Sequence, residues 1–499
     1  MALRLHDTLI DRVIPVEPRE PGHVRLYVCG PTVYDEPHLG HLRSCIVYDV
    51  LVRHLREHGT RVTYVRNITD VDDKILRRAA ERNEAPAALA ERYTEVYQRT
   101  VQRAGCLAPD VEPKVTEHLQ EICALIERLI ARGAAYVVDS DVYFQVSAFA
   151  TYGKLSHRKL SDMEAGASGR MSEDESARKR HPADFALWKA AKPGEPSWPS
   201  PWGPGRPGWH IECSAMCMKH LGDSCDVHGG GLDLVFPHHE NEIAQSEALT
   251  DQALSRVWMH HGFVEVNKEK MSKSLGNFFT AGDCFRLVEP EAVRYFMLTC
   301  HYRAPLHLDW NEDAAGQVTH FPQIEECERR VEYLYATRLR LVAIPEERIE
   351  RGDVRVDPEL RGFAGRLREV LDDDLNMPVA LAAVAELLKR VNDACDVASR
   401  KKGKIGGATL EAMQAALALI GRVLGLGLDD GQALLSRVRT RRVVALGLSE
   451  AAIEAKIQQR IDARRARDFA GADAIRDELL ALGVELMDSP NGTTWRLTH

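Results

Sequence analysis

The chain has 499 residues, of which 44% are hydrophobic and 28% are charged. This is the composition of an ordinary globular protein, and the length predicts several domains, because a single core rarely grows beyond about 250–300 residues. The formal net charge of −9 argues against a uniformly basic, nucleic-acid-coating protein, although local basic patches remain compatible with an RNA partner.

The amino terminus and the cysteines indicate the cellular compartment. Residues 1–18 lack the apolar core of a secretory signal, and no apolar run in the sequence approaches the length of a membrane span. The 11 cysteines are scattered, without the spacing of a disulfide framework. We therefore expect a cytoplasmic protein with reduced thiols and no membrane partner.

The first predicted elements form a parallel sheet. Residues 23–29 and 61–68 have the composition of strands, and residues 41–58 between them show the apolar spacing of a helix. A strand–helix–strand order places both strands in one parallel sheet, with a ligand crevice at their carboxyl ends. Cys29 and Thr69 are therefore expected at the same edge of the sheet.

The middle of the chain interrupts this pattern. Helical patterns continue to about residue 132 and are followed by short strands over 133–160, a charged stretch at 161–182 that is expected to be mobile, and a Pro- and Gly-rich turn over 192–208. Strand-like segments at 209–214 and 225–228 then resume the style of the first sheet. We interpret the interruption as a domain inserted between two halves of one sheet.

The carboxyl-terminal part is predicted to be mainly helical. Residues 313–427 read as an α-bundle, and two further helices precede a hairpin whose turn contains Asn491 and Gly492. The predicted class is α/β: a Rossmann-like parallel-sheet catalytic domain split by an inserted α+β domain, followed by an α-helical bundle and a small α+β domain. The predicted boundaries are 1–115, 116–204, 205–312, 313–430 and 431–499.

Two short segments are suited to bind a polyphosphate. His38 and His41 stand where a helix opens, so their rings lie beside backbone N–H groups that attract phosphate. Lys270 and Lys273 lie in residues 270–274 (KMSKS), a cationic loop of small and flexible residues. Each segment alone is weak evidence, since most such loops are simply solvated. The chain has no Gly-x-x-x-x-Gly-Lys-Ser/Thr, which removes the P-loop alternative.

Four residues from distant parts of the chain offer sulfur, nitrogen and oxygen atoms of the types that zinc accepts. His238 and Glu242 are four apart and share one helical face, while Cys29 and Cys213 supply thiols. Spacing alone leaves the ordinary interpretation open, in which the cysteines are core residues and the histidine and glutamate form a surface pair.

Two other polar groups have competing interpretations. Asp70, Asp72 and Asp73 suggest either a metal cluster or helix-start carboxylates, and the second is favoured. Clusters of arginines near the carboxyl terminus suit either a solvated helical face or phosphate contact. They are Arg437, Arg439, Arg441, Arg442, Arg460, Arg464, Arg465 and Arg467.

Five blocks together resemble the cysteinyl-tRNA synthetases, a family of class I aminoacyl-tRNA synthetases with HIGH and KMSKS signatures. They are residues 27–35 (YVCGPTVYD), 67–74 (NITDVDDK), 208–216 (GWHIECSAM), 236–246 (FPHHENEIAQS) and 270–274 (KMSKS). A looser match extends to residues 492–495. The HIGH signature reads His-Leu-Gly-His here, and this apolar exchange at Leu39 should matter little.

The resemblance implies an enzyme that activates L-cysteine with ATP to cysteinyl-adenylate and pyrophosphate, then transfers cysteine to the 3′ end of tRNA(Cys). It implies one zinc ion, held by Cys29, Cys213, His238 and Glu242, that selects the substrate thiolate. It implies catalytic roles for His38, His41, Lys270 and Lys273, and ATP contacts, with Mg²⁺, from these four and from Gly40, Gly230 and Asp233. It further implies cysteine contacts from Thr69 and Trp209, an anticodon-binding carboxyl-terminal domain, and a monomer.

Some assignments stay open at this point. Asp233 follows three glycines and suits a helix cap as well as a ribose contact. A related ligase passes the same adenylate to an amino sugar in thiol-cofactor synthesis, but generally lacks the full anticodon region. A non-catalytic tRNA-binding paralogue should have lost the signature histidines, lysines or zinc ligands, and another class I synthetase should lack the dispersed ligand set.

Overall fold

A computed structural model describes residues 2–159, 178–266, 269–270, 279–315, 317–352, 355–489 and 492–498. Lys273, and most of the charged stretch for which mobility was predicted, lie outside the described residues. The first part of the chain comprises β1 (Arg4–Asp7), β2 (Arg12–Pro15), β3 (His23–Val28), α1 (Leu39–Glu57), β4 (Arg61–Arg66), α2 (Asp73–Arg82) and α3 (Pro86–Arg103).

The next elements contain the predicted insertion and the second half of the sheet. The insertion comprises α4 (Leu119–Ala131), β5 (Ala135–Val138), β6 (Asp141–Phe144), β7 (Phe185–Ala190) and β8 (Gly205–Pro207). It is followed by α5 (Trp209–Leu221), β9 (Cys225–Gly231), α6 (Glu240–Thr250), β10 (Ser255–His261), β11 (Val264–Val266), β12 (Glu269–Lys270), α7 (Ala281–Leu287), α8 (Pro290–Leu298), β13 (Leu306–Leu308), β14 (Asn311–Glu312) and β15 (Val318–His320).

The remaining elements are a helical bundle and a small terminal domain. The bundle comprises α9 (Pro322–Val342), β16 (Ile349–Glu350), α10 (Pro358–Asp372), α11 (Met377–Ser399), β17 (Ile405–Gly406) and α12 (Gly407–Leu424). The terminal part comprises α13 (Gly431–Ala445), α14 (Glu450–Arg465), α15 (Phe469–Ala481), β18 (Val484–Ser489) and β19 (Gly492–Leu497). The last two strands pair as the predicted hairpin.

The central sheet is parallel and has the strand order β10–β9–β3–β4. Strand β3 from the first half pairs with β9 from the second, with Leu26 opposite Val227 and Val28 opposite Gly229. Between these halves lies a separate antiparallel sheet, β5–β6–β7–β8. The predicted Rossmann-like sheet split by an α+β insertion is therefore confirmed.

One predicted strand is wrong. Residues 209–214 belong to helix α5, which begins after Gly208 and has buried residues on most of its surface. A helix that is apolar on every side shows no 3.6-residue periodicity, so its sequence cannot be told from that of a buried strand. The error matters because α5 carries two of the residues singled out above, Trp209 and Cys213.

Helix α12 lies in the core of the bundle. It is the one helix among the described residues that is long and apolar enough to span a membrane, against the expectation from the sequence. Its residues Met413, Leu417 and Ile420 are buried in the largest hydrophobic cluster, which also contains residues of the catalytic sheet. Its apolar character is therefore accounted for by packing against the rest of the chain.

A buried ion pair joins helices α1 and α8, and its arginine also reaches the bundle. Arg294 on α8 is fully buried and contacts the carboxylate of Asp49 on α1, which is also buried. The guanidinium also donates to the carbonyl oxygens of Leu424, at 2.7 Å, and Ala104, at 3.3 Å. Because α1 opens with the HLGH segment, this contact fixes that helix against the bundle.

The arginines of α13 form ion pairs with acids of neighbouring segments, and the suggestion that they contact phosphate remains a prediction. Arg441 lies 2.8 Å from Glu289 and also contacts Glu328 on α9, where Arg442 pairs with Glu328 at 3.0 Å. Arg439 pairs with Glu450 at 3.1 Å. The remaining pairs are Arg437 with Glu289 and Asp429, Arg442 with Glu332, Arg460 and Arg464 with Asp488, and Arg465 with Asp462. The pairs between α13 and the bundle attach the terminal domain to it.

The Arg294–Asp49 pair gives a stability prediction. We expect Arg294→Met to lower the free energy of unfolding by about 3 kcal/mol, because it removes one of the two buried cations on Asp49, the other being Arg53 at 2.8 Å, and leaves the carbonyl oxygens of Leu424 and Ala104 without their donor. Urea unfolding followed by circular dichroism measures this. The control is Arg132→Met, which removes an exposed pair with Asp251 (3.2 Å) and should change stability by a small fraction of that amount. Equal effects of the two variants would contradict the structural role of the buried pair.

Candidate active site

A cavity of about 260 Å³ opens at the carboxyl ends of strands β3, β4 and β9. Most of the residues predicted from the sequence to bind substrate or metal line it. They are Cys29, His38, Gly40, His41, Thr69, Trp209, Cys213, Asp233 and His238. The expected convergence at one edge of the sheet is therefore observed.

Helix α1 begins in the wall of this cavity, and its two histidines cap it. The Nδ1 atom of His38 accepts from the N–H of Gly40 at 3.0 Å, and that of His41 accepts from the N–H of His38 at 3.2 Å. The two rings stack with their centroids 3.7 Å apart. Because each Nδ1 is an acceptor, each neutral ring carries its proton on Nε2. Both Nε2–H groups are therefore donors suited to phosphate oxygen atoms.

A buried cluster of thiol, imidazole and carboxylate groups lies at the base of the cavity. The Cys29 thiol donates to Glu242 at 3.3 Å, and His238 Nε2 lies 3.2 Å from the same carboxylate oxygen. His239 Nε2 lies 3.8 Å from it. The ligand atoms of these four residues are within 4.8 Å of one another, and all four residues are buried.

The donor set of this cluster fits a zinc ion. His239 Nε2 is buried and makes no hydrogen bond to any described residue, although buried polar atoms normally have partners. Burial lowers the pKa of His238 and of His239, which keeps both rings neutral as metal ligation requires. One sulfur, two imidazole nitrogens and a carboxylate are ligands that zinc commonly takes.

Cys213 lies beside this cluster rather than within the four-atom group. Its sulfur lies 3.6 Å from Asn67 Oδ1, and the neighbouring Cys29 is the main reason that the pKa of Cys213 is below its ordinary value. Burial raises the pKa of Cys29. The predicted ligand set and the observed group thus share Cys29, His238 and Glu242, whereas His239 takes the fourth place in the observed group.

His228 supports the cluster from strand β9. Its Nε2 lies 3.3 Å from Glu242 and 3.6 Å from the sulfur of Cys29. Burial is the largest single influence and acts to lower the pKa of His228, but Glu242 and Cys225 together raise it to about 10. A charged imidazole here compensates the buried carboxylate.

Trp209 and Thr69 line the cavity beside the cluster. The Trp209 ring stacks on that of His238 with centroids 4.4 Å apart. The Thr69 hydroxyl donates to the buried carboxylate of Glu212 at 3.2 Å. Burial raises the pKa of Glu212 well above its ordinary range. Both predicted cysteine-pocket residues therefore sit in positions fixed by neighbouring side chains.

The glycine run before Asp233 is part of strand β9. Gly230 packs under other side chains, since an added Cβ would lie 2.8 Å from Leu234 and 3.0 Å from His239. Gly231 and Asp233, rather than Gly230, line the cavity. The run is glycine because neighbouring side chains occupy the space where a Cβ would stand.

The three aspartates after β4 are structural. Asp72 caps helix α2 by accepting from the N–H of Lys74 at 2.8 Å, and Asp70 accepts from the N–H of Thr116 at 3.0 Å. Asp73 pairs with Lys189 at 2.9 Å. Asp72 and Asp73 stand at the start of α2, as the favoured interpretation expects, whereas Asp70 bonds Thr116 in a neighbouring segment.

Lys74 is a cavity residue for which no role was predicted. Its Nζ lies 5.8 Å from the ring centroids of both Tyr34 and Trp209, at the edge of the cavity. The sequence feature that could have indicated it is its position two residues after Asp72, the cap of α2, at the edge of the sheet. Within the described chain it has no ion pair.

Of the two KMSKS lysines, only Lys270 lies in the described residues. It belongs to β12, whose backbone pairs with β11, so that Lys270 stands opposite Glu265. Strand β11 directly follows the cavity residues Gly262 and Phe263. The predicted approach of this segment to the nucleotide side of the cavity remains a prediction.

Comparison with known proteins assigns the family. A family model described as "tRNA synthetases class I (C) catalytic domain" matches residues 15–320, a "DALR domain" matches 366–429, and a "Cysteinyl-tRNA ligase anticodon binding domain" matches 448–496. The chain is 49% identical over 503 residues to the cysteine–tRNA ligase of Anaeromyxobacter sp. (strain Fw109-5), and each sequence is covered completely.

The chain belongs to the cysteine–tRNA ligase family. It is likewise 46% identical over 503 residues to the cysteine–tRNA ligase of Geobacter sulfurreducens, again with complete coverage of both chains. It is therefore an ATP-dependent aminoacyl-tRNA synthetase of class I. Among solved structures, Mycobacterium tuberculosis methionyl-tRNA synthetase in complex with methionyl-adenylate has a similar fold, with a TM-score of 0.60, 17% identity, and coverage of 86% of this chain and 94% of that one.

His38 has two roles that can be tested separately: its Nδ1 caps helix α1, and its Nε2–H is a donor suited to phosphate. Asparagine also caps helices, so we expect His38→Asn to keep the stability of the wild type, whereas His38→Ala should lose about 1 kcal/mol. Both variants remove the Nε2–H donor and should slow cysteine-dependent ATP–pyrophosphate exchange by about 10²–10³-fold. Urea unfolding and exchange assays measure the two effects. If His38→Asn exchanges at the wild-type rate, the donor role is wrong.

Proposed function

We propose that this enzyme activates L-cysteine with ATP and transfers it to tRNA(Cys), and that a zinc ion at the buried cluster selects the amino acid by its sulfur. The observation that carries the proposal is a single cavity with two chemically different ends. Hydrogen-bond donors suited to phosphate, at the start of α1, form one end. A thiol–imidazole–carboxylate cluster forms the other. The proposed ligands are Cys29, Cys213, His238 and Glu242, with His239 as the alternative fourth ligand.

The cluster addresses the selection problem that cysteine poses. Serine differs from cysteine by one atom, and a pocket that reads shape alone gains only about 1–3 kcal/mol from such a difference. A zinc ion bound there supplies a coordination position that a thiolate fills and a serine hydroxyl, a harder and more basic donor, does not. Burial keeps His238 and His239 neutral, and Cys29 donates to Glu242. With selection at such a site, the enzyme would need no separate domain to hydrolyse misactivated serine.

The nucleotide end supplies positioning and positive potential. Attack of the cysteine carboxylate on the α-phosphate of ATP builds charge on phosphate oxygens, and fixed donors stabilise that charge. His38 and His41 present two Nε2–H groups from the start of a helix, where backbone N–H groups add positive potential. Lys270 and Lys273 are proposed to bind the leaving pyrophosphate, with Mg²⁺ accompanying ATP. The nucleophile is a carboxylate and needs no general base.

The remaining contacts complete the substrate pocket. Thr69 and Trp209 are proposed to hold the amino acid between the two ends of the cavity, and Gly40, Gly230 and Asp233 to contact the nucleotide. The terminal domain, with its own small hydrophobic core around Ile453, is proposed to bind the anticodon. A cytoplasmic monomer and the five domain boundaries given above are part of the same proposal.

Replacement of Cys213 tests the selection mechanism. We expect Cys213→Ala to reduce bound zinc and to lower the preference for cysteine over serine in ATP–pyrophosphate exchange to the roughly 10–200-fold that shape alone supports. Metal analysis and paired exchange assays measure both quantities. The matched control is Cys123→Ala, which removes a half-buried thiol on α4 outside the cavity. Unchanged discrimination in Cys213→Ala would defeat the proposed role.

The final acceptor is tested by single-turnover transfer. Wild-type enzyme loaded with labelled cysteine and ATP should charge tRNA(Cys) and leave an amino-sugar acceptor unmodified. Acid-gel separation of charged tRNA and chromatography of the amino sugar measure the two products. Adenylate formation followed by acylation of the amino sugar alone would assign the chain to thiol-cofactor synthesis instead.

A further inference from the structure

Helix α11 ends in a strongly basic loop. Residues 400–404 read RKKGK and connect α11 to β17; this segment is called the 400–404 loop. Its four charged side chains are exposed, and none of them forms an ion pair with an acid in the described part of the chain. They are Arg400, Lys401, Lys402 and Lys404.

The loop has a defined shape. Arg348 donates through Nη1 to the carbonyl oxygens of Arg400 and Lys401, both at 3.0 Å, and of Gly403 at 3.3 Å. A Cβ on Gly403 would lie 1.7 Å from the carbonyl oxygen of Val397, so only glycine fits there. The loop then enters β17, which pairs with β16. The four cations therefore extend from a loop whose backbone is fixed by hydrogen bonds, and not from a frayed helix end.

Two acids near the loop are engaged with other cations. Asp396, on the last turn of α11, contacts Arg340, and Glu346 lies against Arg351 at 2.5 Å. This differs from α13, where glutamates on neighbouring helices neutralise the arginines. In a chain with a net charge of −9, the 400–404 loop is a local concentration of positive charge, and none of its four cations forms an ion pair within the described residues.

The loop lies at the opposite end of helix α11 from a contact with the catalytic part of the chain. Helix α11 follows Asp374, which accepts from the N–H of His6 at 2.8 Å and from the hydroxyl of Tyr302 at 2.6 Å. Its 23 residues then run away from that contact. At a rise of about 1.5 Å per residue, the helix spans about 35 Å before the loop begins. A partner that fills the active site and also reaches the loop must be a long polyanion.

We propose that the 400–404 loop binds the ribose-phosphate backbone of tRNA while its 3′ end occupies the active site. This rests on the proposed function, because tRNA is the one polyanionic substrate of that length in the reaction. Backbone contacts of this kind contribute affinity, orientation and salt dependence, but no sequence readout. The loop would therefore affect tRNA binding and leave amino-acid activation unchanged.

The test is the double variant Lys401→Glu/Lys402→Glu in the full-length enzyme. We expect the KM for tRNA(Cys) to rise about tenfold or more, with kcat and ATP–pyrophosphate exchange at wild-type values. For Lys401→Ala/Lys402→Ala, the slope of log Kd against log salt should decrease by about 1–2, one unit for each phosphate that is no longer neutralised. The matched control is Arg361→Glu/Lys389→Glu, the same charge change at two exposed cations elsewhere in the bundle.

The other outcomes overturn the proposal. An equal rise of KM in the control would show a long-range charge effect, and no rise in either variant would show that the loop does not contact tRNA. If the Lys401→Glu/Lys402→Glu variant charges tRNA normally but no longer sediments with phosphatidylserine-containing vesicles, the loop is a membrane contact instead. Loss of cysteine-dependent exchange in the wild type would refute the proposed function, which is a separate result.

Discussion

The pairing of β3 with β9 is the constraint on which the site depends. These strands come from opposite sides of the insertion, and their register places Tyr27 opposite His228 and Val28 opposite Gly229. Cys29 leaves β3 one residue later and meets Glu242, which is more than 200 positions away in the chain. A slip of one residue would turn the thiol to the other side of the sheet. The cluster therefore exists only because a long-range parallel pairing has a single register.

The two ends of the cavity are held by different parts of the molecule. The sulfur end depends on the sheet and on α5, whose Cys213 and Trp209 are brought in directly after the insertion. The phosphate end depends on α1, which is fixed to the bundle through the buried Asp49–Arg294 contact. The distance between thiol selection and phosphate chemistry is thus set by packing between domains. A change at Arg294 should affect the geometry of the site without touching substrate.

Sequence patterns were sufficient where structure is local. The strands at 23–29 and 61–68 and the terminal hairpin have simple periodicity and turn residues, and the structure contains them. Patterns failed where the deciding partner is distant. Helix α5 is buried over most of its surface because it packs against the sheet and α4, and His239 joins the cluster through groups contributed by distant segments. Motif resemblance supplied the site residues, but the capping role of the HLGH histidines required coordinates.

The arginines of α13 show that a cluster of basic residues in the sequence need not be a basic surface in the fold. Arg441 and Arg442 resemble an RNA-binding cluster in the sequence, yet Glu328 on a different helix neutralises both. Their charge is used to attach one domain to another, where it is largely withdrawn from solvent. The 400–404 loop is no more basic, but its four cations form no ion pair within the described residues, and the nearby Asp396 and Glu346 pair with other arginines. An uncompensated cation retains its long-range field, and only such a field attracts a polyanion from solution.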